Sequence, residues 1–168
     1  MRTTDKMVLF WRTDDIYSNW HPSLFLDMHQ VQYSNAEQYM MAAKARLFGD
    51  YETEREILAV KGSNPSRMKS LGRKVRNFNE RTWVEHRDQI MFDACLLKFG
   101  QNAHLRAQLM ATGDRILVEA SPVDFIWGIG LEENDPRAED ETQWKGLNLL
   151  GIALMRVRDE FRKSELAL

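Results

Sequence analysis

Ser34-Asn-Ala-Glu-Gln-Tyr-Met-Met-Ala-Ala-Lys-Ala-Arg-Leu-Phe-Gly49 carries the start, the body and the stop of one helix. Ser34 and Glu37 stand at the S-x-x-E spacing of a capping box, in which a hydroxyl and a carboxylate satisfy the first free amides reciprocally. The pattern predicts a helix from Asn35 to Phe48, with Gly49 as the residue that closes it. On that helix Glu37, Met41 and Lys44 fall within about 60° of one another, so an acid and an amine share one stripe two turns apart. A carboxylate and a lysine facing one pocket can act as base and as phosphate or sugar ligand. The same two residues also read as the third residue of a cap and a solvated surface lysine.

The punctuation on either side is of the same kind. Upstream, Val8–Trp11 is a short apolar strand, 13–22 a polar connection studded with aromatics, and Leu24–Leu26 with Val31–Tyr33 a small hairpin around Asp27-Met-His-Gln30. Downstream, Asp50 can cap a helix through Val60, and Asn64-Pro65 is a cap followed by proline at the first helical position, with Gly72 as the stop. A longer helix is expected over Glu80–Phe99, closed by Gly100, then a short one over Ala103–Met110 and a strand at Arg115–Val118. The acidic segment 132–141 reads as a solvated loop, suited to act as a lid. A last helix from Leu147 carries Leu150, Leu154, Val157 and Phe161 at helical spacing. With no repeat and no linker, these elements imply one helix-rich α+β domain over residues 1–168 with a few short strands.

Composition narrows the function classes. The 168 residues are 43% hydrophobic, enough for a sizeable core, and the net charge of −2 gives no global attraction to polyanions or anionic membrane. Apolar runs are too short to span a bilayer, and the first six residues lack an apolar signal core, so a cytoplasmic location is expected. The lone Cys95 sits in a helical pattern as a small packed hydrophobe. His21, His29, His86 and His104 do not pair closely, so no metal is expected. Phosphate-loop, dinucleotide and nucleophile-elbow motifs are missing, which argues against the corresponding enzyme classes.

Ser121-Pro-Val-Asp-Phe-Ile-Trp-Gly-Ile-Gly130 is the second informative stretch. Asp124 beside Trp127 suits an enzyme that holds a flat base while stabilising positive charge, and Gly128 and Gly130 allow close backbone approach to a ligand. It also reads as a strand entering a glycine-rich turn with Trp127 in the core. Arg67-Met-Lys-Ser-Leu-Gly-Arg-Lys-Val-Arg76 clusters five cations that either hold a phosphate or form a solvated helix face.

Taken in order, Phe10-Trp11, Tyr17-Ser-Asn-Trp20, Ser34–Tyr39 with Lys44, Trp83, Ala111–Asp114, Asp124–Gly130 and Gly146–Gly151 resemble the NADAR superfamily over nearly the whole chain. The resemblance implies a compact α+β fold that binds ribosyl nucleotides and hydrolyses an N-glycosidic bond without a cofactor. Substrates in the superfamily are early riboflavin-pathway intermediates or ADP-ribose attached to guanine. By the same resemblance Glu37, Asp124 and Lys44 are candidate catalytic residues. Glu37 would act on water or the ribose hydroxyls, and Asp124 would position base or ribose. Lys44 would either hold phosphate or form a Schiff base with the opened ribose. Trp83 and Trp127 would stack on the base, with Asn19, Gly128 and Asn148 as further binding positions. Two other outcomes stay open: removal of ADP-ribose from single-stranded DNA, with the basic cluster on the backbone, or a non-catalytic ADP-ribose or NAD reader. The sequence sets no oligomeric state.

Overall fold

A computed structural model describes residues 1–166, so the last two residues of the expected domain lie outside the described residues. Its packing divides the chain into two units, Met1–Ser18 with the chain from Ala103 onward, and Asn19–Asn102.

The first unit is built on a three-stranded sheet ordered β1 (Arg2–Thr3), β2 (Met7–Phe10), β5 (Ile116–Glu119). β2 and β5 run parallel with Met7 opposite Ile116 and Leu9 opposite Val118. All four residues of β2 are buried, as a strand covered on both faces requires. Met7, Leu9, Val118 and Ala120 form one apolar cluster with Ile129, Leu131 and Ala138. Ala138 corrects the expectation for the acidic segment. It belongs to a 3₁₀ turn, Pro136–Glu139, that is fully buried at this residue. Arg2 ties the segment down through the Glu133 carbonyl and the Glu139 carboxylate, and the Trp144 indole donates to the Ala138 carbonyl at 2.9 Å. The charges of 132–141 face out while one small residue anchors the loop, so the segment is packed down.

Helix α5 (Ala103–Ala111) leads into β5, and α6 (Leu149–Leu166) packs on that strand, with the expected apolar stripe of Leu150, Leu154, Val157 and Phe161 buried together with Ala153. Contact is so close that a Cβ on Gly151 would meet the Leu117 carbonyl oxygen at 2.0 Å.

The second unit holds a hairpin, β3 (Phe25–Leu26) with β4 (Gln32–Tyr33), and four helices, α1 (Ala36–Leu47), α2 (Tyr51–Leu58), α3 (Pro65–Gly72) and α4 (Glu80–Gln101). α1 is central and packs on the other three. Asp50, Asn64 and Asn79 cap α2, α3 and α4, each accepting from the amide three residues on, and Gly49 closes α1 with φ of 69°. Two glycines do otherwise than expected. Gly100 lies inside α4, which continues because the Gln101 side chain exchanges two hydrogen bonds with the Leu26 backbone and Asn102 donates to the Leu24 carbonyl. Gly72 ends α3 without a left-handed φ; its use is proximity, since a Cβ there would stand 1.9 Å from the Met41 sulfur. Cys95 is a buried thiol that contacts the Met91 sulfur. Among the described residues no helix is long and apolar enough to cross a membrane.

Candidate functional site

The start of α1 decides how Glu37 is to be understood. The cap is Asn35, one residue later than expected, with its side-chain oxygen accepting from the Gln38 amide at 2.8 Å. Gln38 completes the reciprocal half, accepting from the Ser34 amide and hydroxyl at 2.8 and 3.0 Å and donating to the Ile57 carbonyl at 3.0 Å. Asparagine caps at least as well as serine, and the shifted register lets Gln38 join α1 to α2. Glu37 therefore falls at the second helical position, one residue before the Gln38 side chain that bonds the Ser34 amide. It is only 3% exposed, and its amide donates to the Asn19 carbonyl at 3.1 Å. The exposed ends of the first amides favour a negative charge at this level of a helix. Asn19 is itself buried, and its side-chain oxygen has no hydrogen-bond partner among the described residues.

Two turns further on, Lys44 is half-buried with its ammonium 4.6 Å from the Phe78 ring centroid and 5.5 Å from that of Trp83. Burial lowers its pKa, against the attraction of Glu80 and Glu37 and with some help from Arg73. Glu80 first and Glu37 second are the carboxylates that favour the charged form of this amine. Trp83 is buried at 7% exposure while Phe78 is open at 42%, so one aromatic wall beside the amine is fixed and the other is accessible to a flat ligand. Phe78 and Glu80 were not legible as site residues. The available signal was an aromatic directly ahead of the Asn79 cap, where a hydrophobic staple normally turns inward; here the Phe78 ring packs edge-on to Phe48 instead.

In the first unit, Asp124 is half-exposed, and its Oδ1 accepts from the amides of Ile126 and Trp127 at 2.9 and 2.8 Å. It builds its own turn and presents the half-buried Trp127. A Cβ on Gly128 would meet the carbonyl oxygens of Glu119 and Asp124 at 2.7 and 3.0 Å, which accounts for a glycine there without a ligand. Asn148 is buried with φ of 53°, and its amide clasps the edge of β5, accepting from Glu119 N and donating to Leu117 O. Both polar ends of that side chain are committed to the fold.

The basic cluster disperses. Arg76 binds Asp50 and Glu52, with Asp50 held well below the ordinary carboxylate range by Arg76's side-chain and backbone hydrogen bonds. Lys69 leans on Trp20 at 5.9 Å, and Arg67, Arg73 and Lys74 stay exposed. An open depression lined by Asp5, Lys6, Asp114, Arg115 and Ile116 contains none of the expected site residues. Among the described residues no His, Cys, Asp and Glu group is arranged to hold a metal ion.

The sequence profile described as NADAR domain matches residues 9–162. An N-glycosidase, R617, of Acanthamoeba polyphaga mimivirus is 42% identical over 94% of this chain and 97% of its own. The solved structure of the E. coli protein YbiA superimposes with a TM-score of 0.78 at 29% identity, covering 98% of this chain and 90% of that one; the curated E. coli protein is named N-glycosidase YbiA and is 30% identical over 93% of this chain and 89% of its own. A chloroplastic riboflavin biosynthesis protein of Arabidopsis thaliana, PYRR, is 37% identical over 47% of this chain and 11% of its own length.

Proposed function

The chain belongs to the NADAR family, and from that premise we propose that it is an N-glycosidase that hydrolyses the C–N bond between a ribosyl phosphate and an aminopyrimidine or guanine-derived base. The names carried by R617 and YbiA support hydrolysis of an N-glycosyl bond, and the name of PYRR supports the riboflavin-type base. One observation carries the chemistry: a buried carboxylate in the first turn of α1 shares a helix stripe with a lysine of lowered pKa set beside two aromatic rings. We take the two units together as one NADAR domain, since the family profile spans both.

In this proposal the base lies against Phe78 and Trp83. Glu37 holds the ribose hydroxyls and takes the proton of the attacking water. Lys44, whose pKa burial lowers, adds as the free amine to C1 of the ring-opened ribose. The C1–N bond to the base then breaks, the base leaves with a proton as the free amine, and a lysyl imine remains for water to hydrolyse. We favour this role over phosphate binding because lowering a lysine pKa helps a nucleophile and weakens a phosphate ligand. Asp124 sets the turn that presents Trp127. Asn148 and Gly128 serve the fold in this account.

The test is to incubate the protein with the ribosylamino-pyrimidine phosphate and, separately, with an oligonucleotide carrying ADP-ribosylated guanine, following products by mass spectrometry. Release of free pyrimidine is expected from the first. Release of ADP-ribose from the second alone would move the substrate to nucleic acid. Binding of ADP-ribose with no product from either would make the domain a reader and overturn the hydrolase.

A further inference from the structure

Arg87 is 9% exposed on the inner face of α4, and its Nε is buried with no hydrogen-bond partner among the described residues. The exposed carboxylate of its neighbour Asp88 stands 3.8 Å from Nε, beyond hydrogen-bond range. A guanidinium carries five N–H donors in a rigid fork and cannot shed its charge, so burying one unsatisfied is costly. Native structures rarely leave such a group without a use.

Its place in the fold says what the use is. Lys44 in the second half of α1 meets Trp83 in the first turn of α4, while Tyr39 nearer the start of α1 packs on Phe25 of β3, whose neighbour Leu26 is hydrogen-bonded to Gln101 at the end of α4. The two helices therefore run antiparallel. Arg87 follows Trp83 by one turn on the same buried face, about 6 Å along α4, and Glu37 precedes Lys44 by about 10 Å along α1. Arg87 thus lies at a level between the amine and the carboxylate. Three charged groups of complementary use follow one another along one helix pair: an amine, a fork of donors and an acid.

We propose that Arg87 is the receptor for the phosphate of the substrate, binding two of its oxygens through the guanidinium fork while Lys44 and Glu37 address the ribose. This rests on the N-glycosidase reading for the identity of the ligand, and it names the phosphorylated ribosyl end as what the site selects. A buried fork of fixed geometry whose Nε has no hydrogen-bond partner among the described residues matches a phosphate bidentately, whereas a neutral sugar offers no charge to offset its burial.

The experiment uses Arg87→Met, which keeps the length and apolar stem, and Arg87→Lys, which keeps the charge without the fork. Calorimetry with ribose 5-phosphate, inorganic phosphate and ribose reads binding independently of turnover. Wild type binds ribose 5-phosphate in preference to ribose. In R87M that affinity falls by about 10- to 100-fold, the loss expected for charge-assisted hydrogen bonds, and R87K recovers only part of it. The melting temperature of R87M without ligand stays equal or rises, because an unsatisfied buried charge has been removed; a fall with retained phosphate affinity would mark Arg87 as structural and overturn the proposal. The ratio of kcat/KM for the phosphorylated ribosylamino-pyrimidine over its dephosphorylated form drops in the same variants. Wild-type turnover with no selectivity for the phosphate would sink the Arg87 subsite and leave the hydrolase standing. Phosphate binding lost in R87M, with no turnover by wild type, would do the reverse.

Discussion

Gly72→Ala puts the packing that supports the α1 stripe under direct stress. An alanine Cβ at this site would stand 1.9 Å from Met41 Sδ, 2.8 Å from Cγ and 3.2 Å from Cβ. The sulfur can swing away, but Cγ and Cβ lie close to the α1 backbone, so α3 and α1 must part by some tenths of an ångström or Met41 must leave its rotamer. Overpacking of this kind costs about 1–3 kcal/mol, which lowers the melting temperature of a chain this long by roughly 2–4 °C for each kcal/mol. Met41 shares its stripe with Glu37 and Lys44, so the displaced side chain also crowds the proposed site, and kcat/KM should fall more than the lost stability explains. Met41→Ala alone removes a buried side chain and costs about 2–5 kcal/mol. In the double variant the new methyl enters the space that Met41 vacates, and the two changes should couple favourably by 1 kcal/mol or more, within the usual range of about 0.5–3 kcal/mol for touching residues. Urea or thermal unfolding of the four proteins measures the cycle. Additive effects, or a Gly72→Ala protein as stable as wild type, would refute the close approach of α3 to α1 that places the stripe.

Glu37→Gln should lower kcat by roughly 10²- to 10⁴-fold, as for loss of a general base, without lowering the melting temperature, because the cap rests on Asn35 and Gln38; near-normal turnover would remove Glu37 from the mechanism. Since the pKa of Lys44 is lowered in the folded protein, the free amine is present at lower pH than for an ordinary lysine. The pH profile of kcat/KM should rise and then level off below the usual lysine range, and Lys44→Arg should abolish the rise. Asn148→Ala strands the buried Glu119 amide and Leu117 carbonyl and places alanine at φ of 53°; a loss of about 2–5 kcal/mol in equilibrium unfolding is expected from two unsatisfied groups. The carboxyl of Asp50 is held below its unfolded value by Arg76, so its contribution to stability is complete above the unfolded carboxylate value and is lost as pH falls through the depressed one. Asp50→Asn should flatten stability against pH from about pH 4 downward, where the unfolded carboxylate takes up its proton; an unchanged acid slope would contradict the Asp50–Arg76 assignment.

Most helices were legible because caps are local chemistry. Asp50, Asn64 and Gly49 stand where their side chains or φ values are used, and no distant residue had to be known. The misplacements have tertiary causes. Ser34 and Asn35 are both good caps, and the tie was broken by Gln38 reaching Ile57 on the next helix. Gly100 did not stop α4 because the hairpin at Leu24–Leu26 holds the two residues beyond it. Ala138, one small residue among charges, gave no sign that it belongs to the core cluster. For the site, the Glu37–Lys44 stripe followed from helical geometry alone, and the family resemblance raised it above its local alternatives. Phe78 and Arg87 did not show: an aromatic before a cap and an arginine in an amphipathic helix look ordinary until burial and partners are known. Asn148 entered only as a binding position implied by the resemblance, and its structural use did not show because it depends on the edge of β5.

The most direct test of the Glu37–Lys44 assignment is to incubate the protein with the ribosylamino-pyrimidine phosphate, quench with borohydride during turnover, and map the modified peptide by mass spectrometry. The expected result is free pyrimidine together with a reduced ribosyl phosphate adduct on Lys44, absent from Lys44→Arg. Pyrimidine release with no adduct on Lys44, or with an adduct on another residue, would contradict it.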